Sequence, residues 1–163
     1  MGPLNGLVPL DGTHDLSRFD CGKQPLNDWL KEHALQSEGR SARCFVACDG
    51  KHVVGYYCLS AGAVERNKLA GRFRRNMPNV VPVIVMGRLA IDRSVQGRGL
   101  GRALLKDALL RVLAASKQVG ARALLVHAID DEVVPFYRAY GFLPLAPDMR
   151  TLFLPLETIA VGL

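Results

Sequence analysis

The most constraining feature is a sequence of three consecutive parts. Residues 81–91 form an apolar run, residues 96–101 form a glycine cluster, and an amphipathic helix follows. The apolar run is Val-Pro-Val-Ile-Val-Met-Gly-Arg-Leu-Ala-Ile, which reads as a central strand covered on both faces. Pro82 belongs at its start, because proline cannot donate to a sheet ladder. The cluster is Gln96, Gly97, Arg98, Gly99, Leu100, Gly101. Behind it, Leu100, Leu104, Leu105, Ala108, Leu109, Val112 and Leu113 make one apolar stripe, with Arg102, Lys106 and Lys117 off it. A strand, a glycine turn and a helix start make an anion site. Glycines let backbone N–H groups converge, and the helix N-terminus adds partial positive charge. Arg98 and Arg102 add full charges. The loop lacks the Gly-Lys-Ser/Thr of a nucleotide P-loop and the glycine spacing of a dinucleotide fingerprint.

Around this centre the pattern is mixed α/β. Pro25 opens a helical pattern running to about Ser37, with Leu26, Trp29, Leu30, His33 and Ala34 on one face, and Gly39 is expected to end it. Residues 44–48 and 53–59 read as a hairpin turned by Asp49-Gly50. Residues 64–79 are polar and basic and are expected to form a loop or short helix outside the core. Gly120 closes the amphipathic helix, and residues 123–128 make another buried strand. A short helix is expected from Asp130-Asp131 to Tyr140, stopped by Gly141, and residues 142–145 and 149–156 read as terminal strands. One domain over residues 1–163 is expected, since this length supports a sizeable core.

Four cysteines show no metal or disulfide spacing. Cys44 and Cys48 would share a strand face but lie ~13 Å apart, and Cys21 and Cys58 have no CxxC partner. Buried, reduced thiols and no metal are expected. No apolar run reaches membrane-spanning length. Residues 1–10 lack a signal-peptide pattern, and Met1-Gly2 lacks the Ser or Thr that myristoylation expects at position 6, so a cytoplasmic protein is expected. The net charge is +6, from 21 Lys and Arg against 15 Asp and Glu, which favours a polyanionic partner.

Two segments together resemble the Gcn5-related N-acetyltransferases (GNAT). Leu89-Ala90-Ile91-Asp92 followed by Gln96-x-x-Gly99-x-Gly101 is similar to motif A of that family. Pro135-Phe136-Tyr137-x-x-Tyr140-Gly141-Phe142, about thirty residues on, is similar to motif B. A narrower resemblance covers nearly the whole chain. Asp20-Cys21-Gly22, Leu26-x-x-Trp29-Leu30, Gly55-Tyr56-Tyr57, residues 71–78, Gly87-Arg88-Leu89-Ala90 and Val126-His127-Ala128 look like the acetyltransferase toxins of toxin–antitoxin modules. The resemblance implies a GNAT fold: a mixed sheet of about six to seven strands with a splayed central parallel pair, flanked by helices. It implies acetyl-CoA as acetyl donor, with pantetheine along Leu89, Ala90 and Ile91 and pyrophosphate on the loop at residues 96–101 with Arg102. It implies acetylation of the amino group of aminoacyl-tRNA, a ribbon-helix-helix antitoxin as partner, and a homodimer.

The residue chemistry can be weighed against this. Tyr137, at the family's Phe-Tyr position, is the candidate acid for the departing thiolate. A phenol titrates near ~10 and a thiol near ~8.5, so delivery is mildly uphill unless the site shifts one of them. Tyr140, one turn on, matches less well. An aminoacyl ester's α-amine should titrate near or below ~8 and needs less help than a lysine near ~10.4. His127 is either a base or a structural histidine of a buried strand. The segment before the central strand offers Glu65 against Arg66, Lys68, Arg72, Arg74 and Arg75, which repels cationic amines and attracts phosphates. Arg72, Arg74 and Arg75, with Phe73 interleaved, are the candidate tRNA contacts. Arg88 either braces the site or meets the tRNA acceptor end. Three readings stand: the tRNA-acetylating toxin, a GNAT enzyme for a protein or small amine, and a domain that binds RNA or antitoxin without turnover.

Overall fold

A computed structural model describes residues 6–145 and 148–162; the reading of Met1-Gly2 lies outside them. Seven strands form one mixed sheet in the order β1-β2-β3-β4-β5-β7-β6. They are β1 (Val8–Pro9), β2 (Arg43–Asp49), β3 (His52–Glu65), β4 (Val80–Ile91), β5 (Ala123–His127), β6 (Leu143–Leu145) and β7 (Asp148–Pro155). The helices are α1 (Gln24–Glu32), α2 (Ala34–Ser37), α3 (Gly71–Arg74), α4 (Leu100–Ser116), α5 (Val134–Ala139) and α6 (Leu156–Gly162). The chain divides into two compact units, one of residues up to Leu59 with Arg88–Ala108, the other of Ser60–Gly87 with residues from Leu109 on.

In the first unit, β2 and β3 form the expected hairpin, with a bulge between Ala47 and Cys48. The helix expected from Pro25 to Ser37 breaks at His33, whose φ of −125° leaves helical geometry. His33 is exposed, while Leu26, Leu30 and Ala34 are buried. All four cysteines are free and buried. Cys44 and Cys58 face each other across the hairpin, Sγ to Sγ 2.9 Å, because the pairing register places them opposite. Gly55 is required by close approach. A Cβ there would lie 3.2 Å from Leu104 Cδ1 and 3.4 Å from Leu100 Cδ2, so the glycine lets the first turns of α4 settle onto β3.

In the second unit, β4 and β5 are the parallel pair. Their register runs from Val83↔Ala123 to Met86↔Val126, although β4 itself continues to Ile91. β7 lies between β5 and β6, antiparallel to both. Helix α4 stops at Ser116, before the expected Gly120, and α5 begins at Val134 rather than at Asp130. The strand expected to run on to Leu156 gives way to α6 there.

The basic segment at residues 64–79 is not outside the core. Buried Leu69 joins Val81, Val83, Ala123, Leu125, Leu145 and Phe153, with Phe73 and Met77 packed against them. An apolar residue about every four positions along this segment (69, 73, 77) gives even a charged stretch one buried side.

Candidate active site

The glycine loop has the backbone that an anion cradle needs. Gly97 and Gly99 take φ of +78° and +80°, which L side chains rarely adopt. Open space lies where a Cβ would stand at either position, so a ligand can approach the main chain. Ala103 N–H makes the first i→i−4 bond of α4, to Gly99 O at 3.1 Å. The amides of residues 100–102 are therefore the orphan donors that a helix start presents. Arg98 and Arg102 are exposed beside them. Donors, dipole and charge together suit a pyrophosphate.

The Gln96 side chain turns inward, towards main chain. Its Nε2 donates to Ile91 O at 2.9 Å and to Cys21 O at 3.0 Å. The side chain ties the loop to the end of β4 and to a segment 75 residues earlier in the chain. That segment, Asp20-Cys21-Gly22, is itself held. Asn27, the one buried polar side chain among the described residues, accepts from Cys21 N–H at 2.8 Å and donates to Asp20 Oδ1 at 3.0 Å. Asp92 receives Asp20 N–H at 2.8 Å and both the N–H and hydroxyl of Ser94. Burial works against the Asp92 charge, but these hydrogen bonds outweigh it and hold the carboxyl below its ordinary range. Leu89 and Ile91 are half-buried and Ala90 is buried, and Asp92 N–H donates to Val54 O at 2.8 Å. Arg88 lies with its guanidinium 4.1 Å over the Trp29 ring, which stacks on Tyr56. Such a cation–π contact holds the Arg88 side chain against Trp29.

In the second unit, α5 separates the two tyrosines. Tyr137 is buried, its ring edge-on to Phe136 and Phe142 at 5.2 and 5.6 Å, whereas Tyr140 is 39% exposed. Burial pushes the Tyr137 phenol up. Proton transfer from that phenol to a thiolate is therefore steeper than from a free phenol. His127 is not buried: it is exposed at the end of β5, after four buried residues, with Nδ1 3.2 Å from Thr151 Oγ1.

The basic segment divides its arginines. Arg74 donates from Nε to Leu69 O at 2.8 Å and from Nη2 to Asn67 O at 3.0 Å, and Arg66 donates to Met77 O at 3.1 Å. Both hold the segment's own carbonyls. Arg72 and Arg75 are exposed, Arg72 lying 4.7 Å over Phe73. Phe73 meets Phe153 edge-on at 5.4 Å, so its ring packs the core and is not a free platform for a base.

A model of the acetyltransferase (GNAT) domain matches residues 40–144, which span the loop, the basic segment and Tyr137. The chain belongs to the GNAT acetyltransferases. Among GNAT proteins it is 46% identical over 134 residues to the tRNA-acetylating toxin of Mycobacterium tuberculosis, covering 82% of this chain and 81% of that protein. AtaT complexed with acetyl-methionyl-tRNAfMet has a TM-score of 0.91 at 34% identity, covering 98% of this chain and 99% of that one. A variant of AtaT bound to acetyl-CoA and the C-terminus of the antitoxin AtaR has a TM-score of 0.85 at 33% identity, covering 99% and 98%. This GNAT chain is an acetyl-CoA-dependent N-acetyltransferase with the family's mixed sheet. No helix of the described residues is long and apolar enough to cross a membrane.

For a GNAT enzyme, the parts that sequence reasoning missed are the supports. Asp20, Asn27 and Asp92 carry the glycine loop without being in it. Their signals were Asp20-Cys21-Gly22, a motif with no chemistry of its own, and the Asp92 that closes Leu89-Ala90-Ile91-Asp92.

Proposed function

We propose that this protein is a toxin that moves acetyl from acetyl-CoA to the α-amino group of aminoacyl-tRNA and so blocks translation. The observation that carries the reading is the near-complete likeness to AtaT complexed with acetyl-methionyl-tRNAfMet. The thioester supplies an activated acyl group. The chain holds the donor through the amides of Gly97, Arg98, Gly99, Leu100 and Gly101 and the charges of Arg98 and Arg102. Gln96 keeps that loop in shape. The backbone of Leu89, Ala90 and Ile91 lines pantetheine, a role supported by a β4 that outruns its β5 register. Tyr137 donates to the leaving sulfur; its buried, protonated phenol suits a hydrogen bond that strengthens as charge develops there.

Arg72 and Arg75 meet tRNA phosphates, with Arg74 ordering the segment that presents them. The protein acts in the cytoplasm, as a homodimer, and is neutralised by a ribbon-helix-helix antitoxin. An acceptor that is a lysine side chain or polyamine fits poorly with so basic a segment. The test incubates purified protein with acetyl-CoA and a pool of aminoacylated tRNAs. Mass spectrometry of the released amino acids should show N-acetylation of one or a few. Acetylation of a protein or polyamine with none of tRNA would replace this reading with the broader GNAT one.

A further inference from the structure

We infer that His127, held by Thr151 and Asp148, is the base that takes the proton from the acceptor ammonium, an inference that rests on the function proposed above. β5 and β7 pair His127 with Thr151 directly, so the two side chains meet by register. Thr151 has one hydroxyl proton, and Thr151 Oγ1 gives it to Asp148 Oδ2 at 2.7 Å. A carboxylate can only accept, so the direction of that bond is fixed. Thr151 Oγ1 must then accept from His127, 3.2 Å away at Nδ1. The chain is His127 Nδ1–H to Thr151 to Asp148. It selects the tautomer with its proton on Nδ1 and leaves the lone pair on Nε2.

The position adds to the chemistry. Met86↔Val126 is the last pair of the parallel register, and His127 is the next residue of β5. It stands where β5 stops pairing with β4, on an exposed ring that a solvent-borne amine can reach. A histidine serving only as packing would sit among Ala123–Val126, which are buried.

The proton balance closes. The acceptor ammonium gives one proton to His127 Nε2, which passes it to water. The neutral amine nitrogen bonds the acetyl carbon as the carbon–sulfur bond breaks. The nitrogen sheds its second proton to solvent, and the sulfur gains one from the Tyr137 hydroxyl, which is refilled from solvent. One proton is released per turnover, as the formation of an amide and a thiol from an ammonium and a thioester requires.

The test compares wild type with His127→Ala and Thr151→Val on one aminoacyl-tRNA from about pH 6 to about pH 8.5, a range that spans the ordinary titration of an α-amine. The charged group that acts on the imidazole is Asp148, through Thr151 and through space; on the adjoining segments Arg150 of β7 is paired with Asp131, next to Asp130, after β5. His127→Ala should lower kcat/KM by ~10²-fold at the acid end, the usual scale for a proton-transfer group. The defect should shrink as pH rises and the amine becomes neutral unaided, and added imidazole should restore activity. Thr151→Val keeps the imidazole but loses the tautomer lock; a loss of ~10-fold with the same pH trend is expected. Defects in both variants that are flat with pH and unmoved by imidazole would assign His127 a structural role and overturn the inference. So would activity within twofold of wild type. An inactive wild type would instead sink the proposed function, so the two failures are separable.

Discussion

The support of the glycine loop can be tested at one atom. Gln96 Nε2 donates to Ile91 O and Cys21 O, and both bonds vanish in Gln96→Ala. A neutral hydrogen bond contributes about 0.5–1.5 kcal/mol net, so two give about 1–3 kcal/mol. Gln96 is exposed, so water recovers part of this, and about 1–2 kcal/mol of loop order remains at stake. At 1.4 kcal/mol per factor of ten, that is roughly a 5- to 30-fold weaker Kd for coenzyme A. The loss appears in full only if the cradle conformation stops dominating the unliganded loop, because apparent affinity scales with the competent fraction. Gln96→Glu should be worse than alanine, since it turns a carboxylate towards two carbonyl oxygens. Titration calorimetry with coenzyme A measures the effect, and acetyl-pantetheine, which lacks the pyrophosphate, is the control substrate. The expected pattern is a marked loss for the full donor and little change in kcat/KM for the fragment. Equal losses for both, or a coenzyme A Kd within twofold of wild type, would refute the brace.

Tyr137→Phe should keep the ring packing against Phe136 and Phe142 yet lose about 10²–10⁴ in kcat, with Tyr140→Phe near wild type; steady-state kinetics on acetyl-CoA check both. Arg72→Ala and Arg75→Ala should each cut the salt-dependence slope of tRNA binding by about 1, whereas Arg74→Ala should chiefly lower Tm, because its guanidinium bonds internal carbonyls. Gly55→Val should cost about 1–3 kcal/mol by overpacking against Leu100 and Leu104 and raise the KM for acetyl-CoA, read by melting and kinetics. Asp92→Asn should destabilise by about 1–2 kcal/mol at neutral pH through loss of charged hydrogen bonds. Because the Asp92 carboxyl is held below its ordinary range when folded, its stabilisation is present above that range and lost as pH falls through the folded value. Urea melts of wild type and variant should therefore converge in acid. Burial raises the Cys58 thiol, so Cys58 should resist alkylation until the protein unfolds, followed by mass spectrometry.

The central strand, the glycine loop and α4 were legible because their signals are local. The apolar run of β4, two glycines in a left-handed turn and a leucine stripe all fall within 36 residues, 81–116. The two tyrosines, three residues apart, share a helix face by spacing, and only the resemblance to motif B told them apart; that one is buried and the other exposed appears in the structure. What stayed hidden depends on register and on distant chain. Cys44 and Cys58 are fourteen residues apart and meet only through hairpin pairing. His127 looked buried because the four residues before it are; that it lies one step past the last β4 partner cannot be read from composition. Phe73, interleaved among arginines, favoured RNA contact, and its packing on Phe153 appears only when a strand 80 residues away is in place.

The same contrast bears on how the loop and its supports should respond to change. A glycine cradle offers amides but no means of holding them in one shape, since glycine carries the largest backbone entropy. The order must come from elsewhere, and here it comes from three polar side chains. Gln96 reaches back to Cys21, Asp92 takes the amide of Asp20 from 72 residues away, and Asn27 fixes Asp20 and Cys21 together. The three braces converge on Asp20 and Cys21, so removing one leaves the others partly engaged. Paired substitutions should then be more than additive: Gln96→Ala with Asn27→Ala should weaken coenzyme A binding by more than the product of the single effects. Simple additivity in that cycle would mean that the two side chains stabilise separate features, and that the glycine loop orders itself.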